Sequence, residues 1–261
     1  MNKSLIVANW KMHLNTEAAS LYVHHFNKVL NYHRSVEVVL APSMLTLQPL
    51  SLQIDHRKMR LAAQNAYFKD EGPYTGEVSF TMLSGLVDYA LVGHSERRIY
   101  FGESLESIRD KVSAAIRNNI KPILCIGESK PDKLAGETKR VIHDQLTTAI
   151  SNLTVEELKQ LTIAYEPVWA ISTFDGEPAS PADVQKVFDY IRYQIAELYG
   201  ATAARQVRII YGGSVNKDDV GGYLALDGCE GALVGADSLN YQDFAEIIDK
   251  AYLIQQNKKK S

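Results

Sequence analysis

The chain has 261 residues, 46% of them hydrophobic and 23% charged, and a formal net charge of −3. Such a composition supports one large globular domain or two small ones. The weak charge provides no overall field for nucleic acid or an anionic membrane, so we expect neither as a partner. Cys125 and Cys229 lie in or near apolar runs. Packed free thiols are therefore favoured over a disulfide, which fits a cytoplasmic location. No run has the length of a membrane span or signal peptide.

Short apolar runs alternate with longer amphipathic stretches along the chain. The apolar runs predict eight strands, at residues 5–8, 36–40, 60–63, 89–92, 122–126, 161–165, 207–211 and 232–234. The amphipathic stretches predict helices at residues 16–30, 44–52, 79–85, 104–118, 137–151, 181–198, 217–226 and 241–255.

Strict alternation of strands and helices predicts an α/β fold with a parallel sheet. Eight units in about 250 residues fit a closed (β/α)₈ barrel, here a single domain over residues 1–256 with a disordered basic tail at 257–261. An open doubly wound sheet is the rival architecture. It usually has a glycine-rich turn after its first strand, whereas residues 9–13 contain no glycine.

Polar residues occur where the predicted strands end. Asn9 and Lys11 follow the first strand, His94 follows the fourth, and Glu166 follows the sixth. Each one alone has an ordinary alternative, such as a solvated lysine or a core histidine. Because barrels carry their chemistry at the C-terminal ends of the strands, we expect these four side chains to share one face.

Glu166 is a candidate general base. It ends an apolar run and is followed at once by Pro167, which biases it toward extended backbone and ends the strand there. A carboxylate at the mouth of a sheet, beside Trp169, is suited to proton transfer. On this fragment alone, a glutamate in a surface loop is an equal alternative.

Glycines follow the last two strands, at Gly212, Gly213 and Gly235, with Ser214 beside them. Barrels bind phosphate at this position through backbone N–H groups. A small phosphorylated substrate would then offer Glu166 a C–H beside a carbonyl, and the polar residues of the other strands would stabilise the enediolate oxygen. No cysteine and histidine cluster has metal-ligand spacing, and no nucleophile elbow occurs. We therefore expect no metal, no organic cofactor and no serine hydrolase.

Five segments together resemble the signature blocks of the triosephosphate isomerase family. They are NWKM at 9–12, GHSERR at 93–98, AYEPVWAI at 164–171, YGGSV at 211–215 and LVG at 233–235. The resemblance extends over the whole chain. It implies a TIM barrel and an isomerase of glycolysis and gluconeogenesis. Such an enzyme interconverts dihydroxyacetone phosphate and D-glyceraldehyde 3-phosphate through an enediolate, without a cofactor.

Carried over residue by residue, the resemblance implies Glu166 as the proton-shuttling base. His94 would be the electrophile, and Lys11 and Asn9 would complete the polar cradle. The phosphate would be bound at Ser172, Ser214, Gly235 and Ala236.

The resemblance also implies a lid and a partner. The lid would span residues 167–180 and include Pro167, Trp169, Thr173 and Gly176. The family is typically homodimeric. A loop at residues 68–77, with Thr75 at its tip, would reach into the second copy.

The phosphate side departs from the family pattern. Ser172 stands where a hinge glycine is usual, and the lid is slightly longer. After the eighth strand, Ala236 and Asp237 replace glycine and alanine. Ala236 would be strained if the backbone there needed positive φ. Asp237 would either bring negative charge to the phosphate or point away and cap a short helix.

These departures keep two other functions open. One is isomerisation of a related sugar phosphate, such as a tetrulose phosphate. The other is a non-catalytic paralogue, which the retention of all four candidate catalytic residues disfavours.

Overall fold

The computed structural model describes residues 3–171 and 178–258. In this part of the chain eight parallel strands close into a barrel, in chain order. The strands are β1 (Ser4–Asn9), β2 (Val36–Ala41), β3 (Met59–Ala63), β4 (Tyr89–Val92), β5 (Lys121–Ile126), β6 (Thr162–Tyr165), β7 (Arg208–Tyr211) and β8 (Cys229–Val234). The predicted (β/α)₈ barrel is confirmed.

Helices surround the barrel. They are α1 (Thr16–Val29), α2 (Met44–Ser51), α3 (Phe80–Leu83), α4 (Ser95–Tyr100), α5 (Leu105–Arg117), α6 (Lys130–Leu134), α7 (Thr138–Ile150), α8 (Val155–Leu158), α9 (Pro181–Tyr199), α10 (Ala201–Gln206), α11 (Val220–Leu224) and α12 (Tyr241–Lys258). Two 3₁₀ helices follow β6 and β8, at Val168–Ala170 and Ala236–Leu239. Residues 257 and 258, which were predicted to be disordered, belong to α12.

Two elements, β8 and α11, begin three residues away from their predicted starts. Strand β8 begins at Cys229, whereas the predicted strand began only after Gly231. Gly231 belongs to the strand because its missing side chain leaves room for the neighbouring strand: a Cβ there would come 1.9 Å from the Leu5 carbonyl oxygen. Glycine at this position permits close strand contact. Helix α11 begins three residues late, because the Asn216 side chain accepts from the backbone N–H groups of Asp218 and Asp219 and forms a turn.

Side chains fill the barrel interior. The inner cluster includes Leu5, Tyr89, Leu91, Ile123 and Ile210, each no more than 1% exposed. A larger apolar cluster lies between the strands and the helices. Since the interior is a packed core, a ligand must bind at the barrel rim.

The two cysteines pack into these separate clusters. Cys125 lies in the barrel interior and Cys229 in the outer cluster, and both are buried free thiols. The described helices include none that is long and apolar enough to cross a bilayer.

Candidate active site

Glu166 is held at the end of β6 by its backbone. Its N–H donates to the Ile126 carbonyl at 2.7 Å. A Cβ on Gly127 would lie 1.7 Å from the Glu166 carbonyl oxygen, and one on Gly212 would lie 2.8 Å from Glu166 Cγ. Both neighbouring strands are therefore followed by glycines that Glu166 requires. The residue is 1% exposed.

The Glu166 carboxylate has one bonded and one unbonded oxygen. Oε2 accepts a hydrogen bond from the Ser95 backbone N–H, the first of α4, at 3.2 Å. Oε1 lies 3.3 Å from His94 Nε2, and no described group makes a hydrogen bond to it. A buried polar atom without a partner is uncommon in proteins. Oε1 is therefore the oxygen available to accept a proton.

His94 is the N-cap residue of α4, and this position determines its tautomer. Its Nδ1 accepts a hydrogen bond from the Glu96 backbone N–H at 3.3 Å. An accepting Nδ1 carries no proton, so a neutral ring has its proton on Nε2. That Nε2–H lies on the side of Glu166.

Lys11 is fixed by contacts at its backbone and at its ammonium group. Its φ is +50°, a region uncommon for side chains other than glycine, asparagine and aspartate. Its N–H donates to Asn9 Oδ1 at 3.1 Å, and its carbonyl accepts from Gln64 Nε2 at 2.8 Å. Its Nζ lies 2.6 Å from Glu96 Oε1. The unusual backbone conformation is thus held by Asn9, at the end of the same strand, and by Gln64, which follows β3.

One pocket of about 180 Å³ brings the predicted residues together. Asn9, Lys11, His94 and Glu166 line it, as expected for groups at the ends of β1, β4 and β6. Of the residues predicted to contact phosphate, those after β7 and β8 line the same pocket, namely Ser214, Gly235 and Ala236. Ser172, Thr173 and Gly176 lie outside the described residues.

The loops after β7 and β8 differ from the expectation in two details. The Ser214 backbone N–H donates to the Ala170 carbonyl at 3.1 Å and so is engaged in this conformation. Ala236 begins a 3₁₀ helix and is not among the non-glycine residues with positive φ, so the expected strain does not arise.

Asp237 lines the pocket beside Ala236. The N-cap position of the 3₁₀ helix is occupied by Gly235, so the capping role considered for Asp237 is wrong. Burial raises the pKa of the Asp237 carboxyl, and Asp243 and Asp218 raise it further, while Lys217 acts in the opposite direction.

The described ends of the predicted lid make several side-chain contacts. Trp169 Nε1 donates to Glu128 Oε1 at 2.9 Å, and Lys133 Nζ lies 3.2 Å from the centre of the Trp169 ring. Pro167, also assigned to the lid, is buried and precedes the 3₁₀ helix Val168–Ala170. At the far end, the Tyr223 hydroxyl donates to the Ala179 carbonyl at 2.8 Å.

Sequence reasoning missed several supporting groups. The Ser95 amide and the Gln64 amide group contact Glu166 and Lys11 from distant segments, which only the fold brings near. Glu128, which accepts hydrogen bonds from Tyr165 and Trp169, lies just after the predicted fifth strand and was not singled out. Nothing in the sequence marked Tyr223, whose ring stacks on Tyr211 at 4.0 Å. Within residues 3–171 and 178–258, no three His, Cys, Asp or Glu side chains are grouped as metal ligands.

The comparisons with known proteins agree with this geometry. The family model described as triosephosphate isomerase matches residues 4–251. A protein named triosephosphate isomerase from Caldanaerobacter subterraneus subsp. tengcongensis is 40% identical over 95% of this chain and 100% of its own length. The protein of that name from Carboxydothermus hydrogenoformans is 40% identical over 95% and 98%, respectively. That from Clostridium beijerinckii is 39% identical over 95% and 100%. The chain therefore belongs to the triosephosphate isomerase family.

Proposed function

We propose that this chain is an isomerase that interconverts dihydroxyacetone phosphate and D-glyceraldehyde 3-phosphate through an enediolate. The observation that carries the proposal is the pair formed by Glu166 Oε1 and His94 Nε2. These atoms lie 3.3 Å apart at the buried end of the pocket. A base and a hydrogen-bond donor side by side suit proton transfer next to a carbonyl. Family membership supports the same reaction.

In the proposed mechanism, Glu166 Oε1 removes a proton from the substrate carbon beside the carbonyl. His94 Nε2–H and the Lys11 ammonium donate to the oxygen that becomes negative, and Asn9 contributes to the same polar wall. The hydroxyl proton on the first carbon must also move to the second oxygen, so His94 Nε2 gives its proton to the enediolate oxygen and takes up the hydroxyl proton in its place. Glu166 then returns its proton to the neighbouring carbon, which leaves a carbonyl on the first carbon. Preorganised donors of this kind contribute about 3–4 kcal/mol each to transition-state stabilisation.

The substrate phosphate is proposed to bind at the opposite end of the pocket. Ser214, Gly235 and Ala236 line that end, and Ser172 is assigned there by the family pattern. The segment from Pro167 to Ser180, including Trp169, Thr173 and Gly176, is proposed to be the lid that covers the bound substrate. The hydrogen bond from Trp169 to Glu128 would hold the first turn of the lid in place.

The test is isomerisation of D-glyceraldehyde 3-phosphate in a coupled assay, after dialysis against a chelator. Glu166→Gln should lower kcat by about three orders of magnitude and leave KM nearly unchanged, because it removes the base and not the phosphate contacts. Glu156→Gln is the matched control, since Glu156 is an exposed partner of Lys159. A small loss of kcat in Glu166→Gln would contradict the assignment.

A four-carbon ketose phosphate should be assayed in parallel. Fast turnover of the four-carbon substrate, together with slow turnover of the triose phosphate, would mean that the substrate is a tetrulose phosphate. Turnover of neither substrate by folded protein would favour the non-catalytic paralogue.

A homodimer is also proposed, in the cytoplasm, where the thiols would remain reduced. Beside the active site a second pocket, of about 520 Å³, is lined by Lys11, Gln64 and Phe101. The lining includes exposed apolar side chains, at Met12 (96% exposed), Met44 and Phe101. Apolar patches of this kind mark protein interfaces.

The loop at residues 68–77 is proposed to fill that pocket on the partner. Thr75 is exposed at its tip, and Tyr67 and Tyr74, with ring centres 4.8 Å apart, support the loop. Thr75→Arg should shift sedimentation from dimer to monomer, because a buried unpaired charge is strongly unfavourable. Thr202→Arg, in exposed α10, is the control and should remain dimeric. An unchanged Thr75→Arg dimer would refute this interface.

A further inference from the structure

The end of the pocket assigned to phosphate contains carboxylates. Asp219 and Asp237 both line it, together with Ser214 and Gly235. Asp219 is engaged by its own loop: its Oδ1 accepts from the Asn216 backbone N–H and its Oδ2 from Asn216 Nδ2, each at 2.8 Å. Asp237 is the acidic side chain next to the Gly235–Ala236 backbone. An anion bound there would lie beside Asp237.

The surroundings of Asp237 offset its charge only in part: the Lys217 backbone N–H donates to the carboxyl and lowers its pKa, but burial and the neighbouring acids outweigh this effect. Lys217 is the cation whose charge acts on Asp237, and its Nζ is shared with Asp243 Oδ1 at 2.8 Å and Glu246 Oε1 at 3.6 Å. A second ammonium group, that of Lys250, donates to the Lys217 backbone carbonyl. The groups that face Asp237 are Lys217, Asp218 and Asp219 from the loop after β7 and Asp243 from α12, with Lys11, His94 and Glu166 across the pocket. Burial raises the pKa of Asp237, and the neighbouring acids raise it further. The local balance therefore disfavours a second negative charge.

We propose that Asp237 is a specificity-determining residue that shares one proton with the bound phosphate. In the complex this proton lies between the Asp237 carboxyl and a phosphate oxygen. Either group donates the hydrogen bond and the other accepts it. The proposal rests on the proposed function, because it takes the substrate to be a phosphomonoester bound at this end of the pocket.

The proton balance gives the measurable consequence. A phosphomonoester has a second pKa of about 6, so it is a dianion at pH 8. When the phosphate dianion binds beside the ionised Asp237 carboxylate, the complex takes up one proton from solvent. Binding that takes up one proton weakens about tenfold for each unit of rising pH. Without the shared proton, affinity would not depend on pH in this range.

The experiment is calorimetric titration with glycerol 3-phosphate at pH 8, in two buffers of different ionisation enthalpy. This probe has one phosphate and no carbonyl to isomerise. The uptake should be about one proton for the native chain and near zero for Asp237→Asn, whose affinity at pH 8 should be about tenfold tighter. Asp218→Asn removes the same charge at an exposed neighbour outside the pocket and should keep the uptake near one.

Several outcomes would overturn the proposal: no uptake by the native chain, uptake that persists in Asp237→Asn, or no binding of the probe. Asp237→Ala replaces the asparagine variant if that variant does not fold, and the native chain's own uptake and pH slope remain decisive. Isomerase activity is measured on the same preparation. Uptake without isomerisation would contradict only the proposed function, and isomerisation without uptake would contradict only the role of Asp237.

Discussion

Gly212→Ala tests whether the position of Glu166 governs catalysis. The added Cβ would lie 2.8 Å from Glu166 Cγ, whereas its next neighbours, Tyr165 O and Glu166 Oε1, are at ordinary distances of 3.5 and 3.6 Å. Carbon atoms pack at about 3.5–4.0 Å, so the Glu166 side chain must move by about 1 Å. A displacement of this size at a reacting group can lower the rate about 100-fold, which is about 2.7 kcal/mol in the barrier.

The chain should still fold. Gly212 is not in the left-handed φ region, and overpacking typically costs about 1–3 kcal/mol, less than the stability of most domains. Isomerase kinetics and thermal unfolding are measured together. Gly222→Ala in α11 is the control, since its Cβ would meet only Pro181 Cγ at 3.8 Å. A folded Gly212→Ala protein with kcat within threefold of the native value, roughly 0.7 kcal/mol in the barrier, would refute the reasoning.

Three further substitutions have definite expected outcomes. Tyr223→Phe removes the donor to the Ala179 carbonyl, so we expect a loss of about 1 kcal/mol and a fall of about 2–4 °C in Tm by calorimetry; an unchanged Tm would mean that this bond is not stabilising. Glu96→Gln removes the anion 2.6 Å from Lys11 Nζ, so kcat should fall about tenfold with less effect on KM; equal kcat would contradict a positioning role. The pKa of Asp237 is raised in the folded state, so its favourable contribution is full below the unfolded pKa of about 4 and is lost as pH rises through the folded value. Asp237→Asn should therefore raise Tm at pH 8 and have less effect at pH 3.5, and an equal change at both would contradict this sign.

Much of the catalytic half of the pocket was predictable because its signals are local. Each strand is a short apolar run, and Glu166 is marked by the proline that follows it. His94 is marked by its place after the fourth predicted strand. Since parallel strands of a barrel all end at one face, identifying the strand ends was enough to bring Asn9, Lys11, His94 and Glu166 together.

The details that tune these groups depend on distant contacts. The Ser95 amide reaches Glu166 from 71 residues away, and Gln64 reaches Lys11 from 53. The clash that makes Gly212 necessary follows from strand register, which no local pattern gives. The orientation of Asp237 was also open, because a carboxylate near a helix start is equally suited to capping it or to facing a ligand.

The two ends of the pocket are stabilised by different forces. We therefore expect substitutions at one end to change kcat and substitutions at the other to change the affinity for the substrate. The Glu166 end is positioned by backbone hydrogen bonds and by glycines that admit no side chain. Changes there displace reacting atoms and act on the barrier. The Asp237 end is governed by nearby charges, and Lys217 already pairs with Asp243. Changes there alter electrostatic free energy, which pH and salt also alter. Variation confined to the anion end can thus adjust affinity for a phosphorylated substrate while the chemistry at Glu166 is preserved.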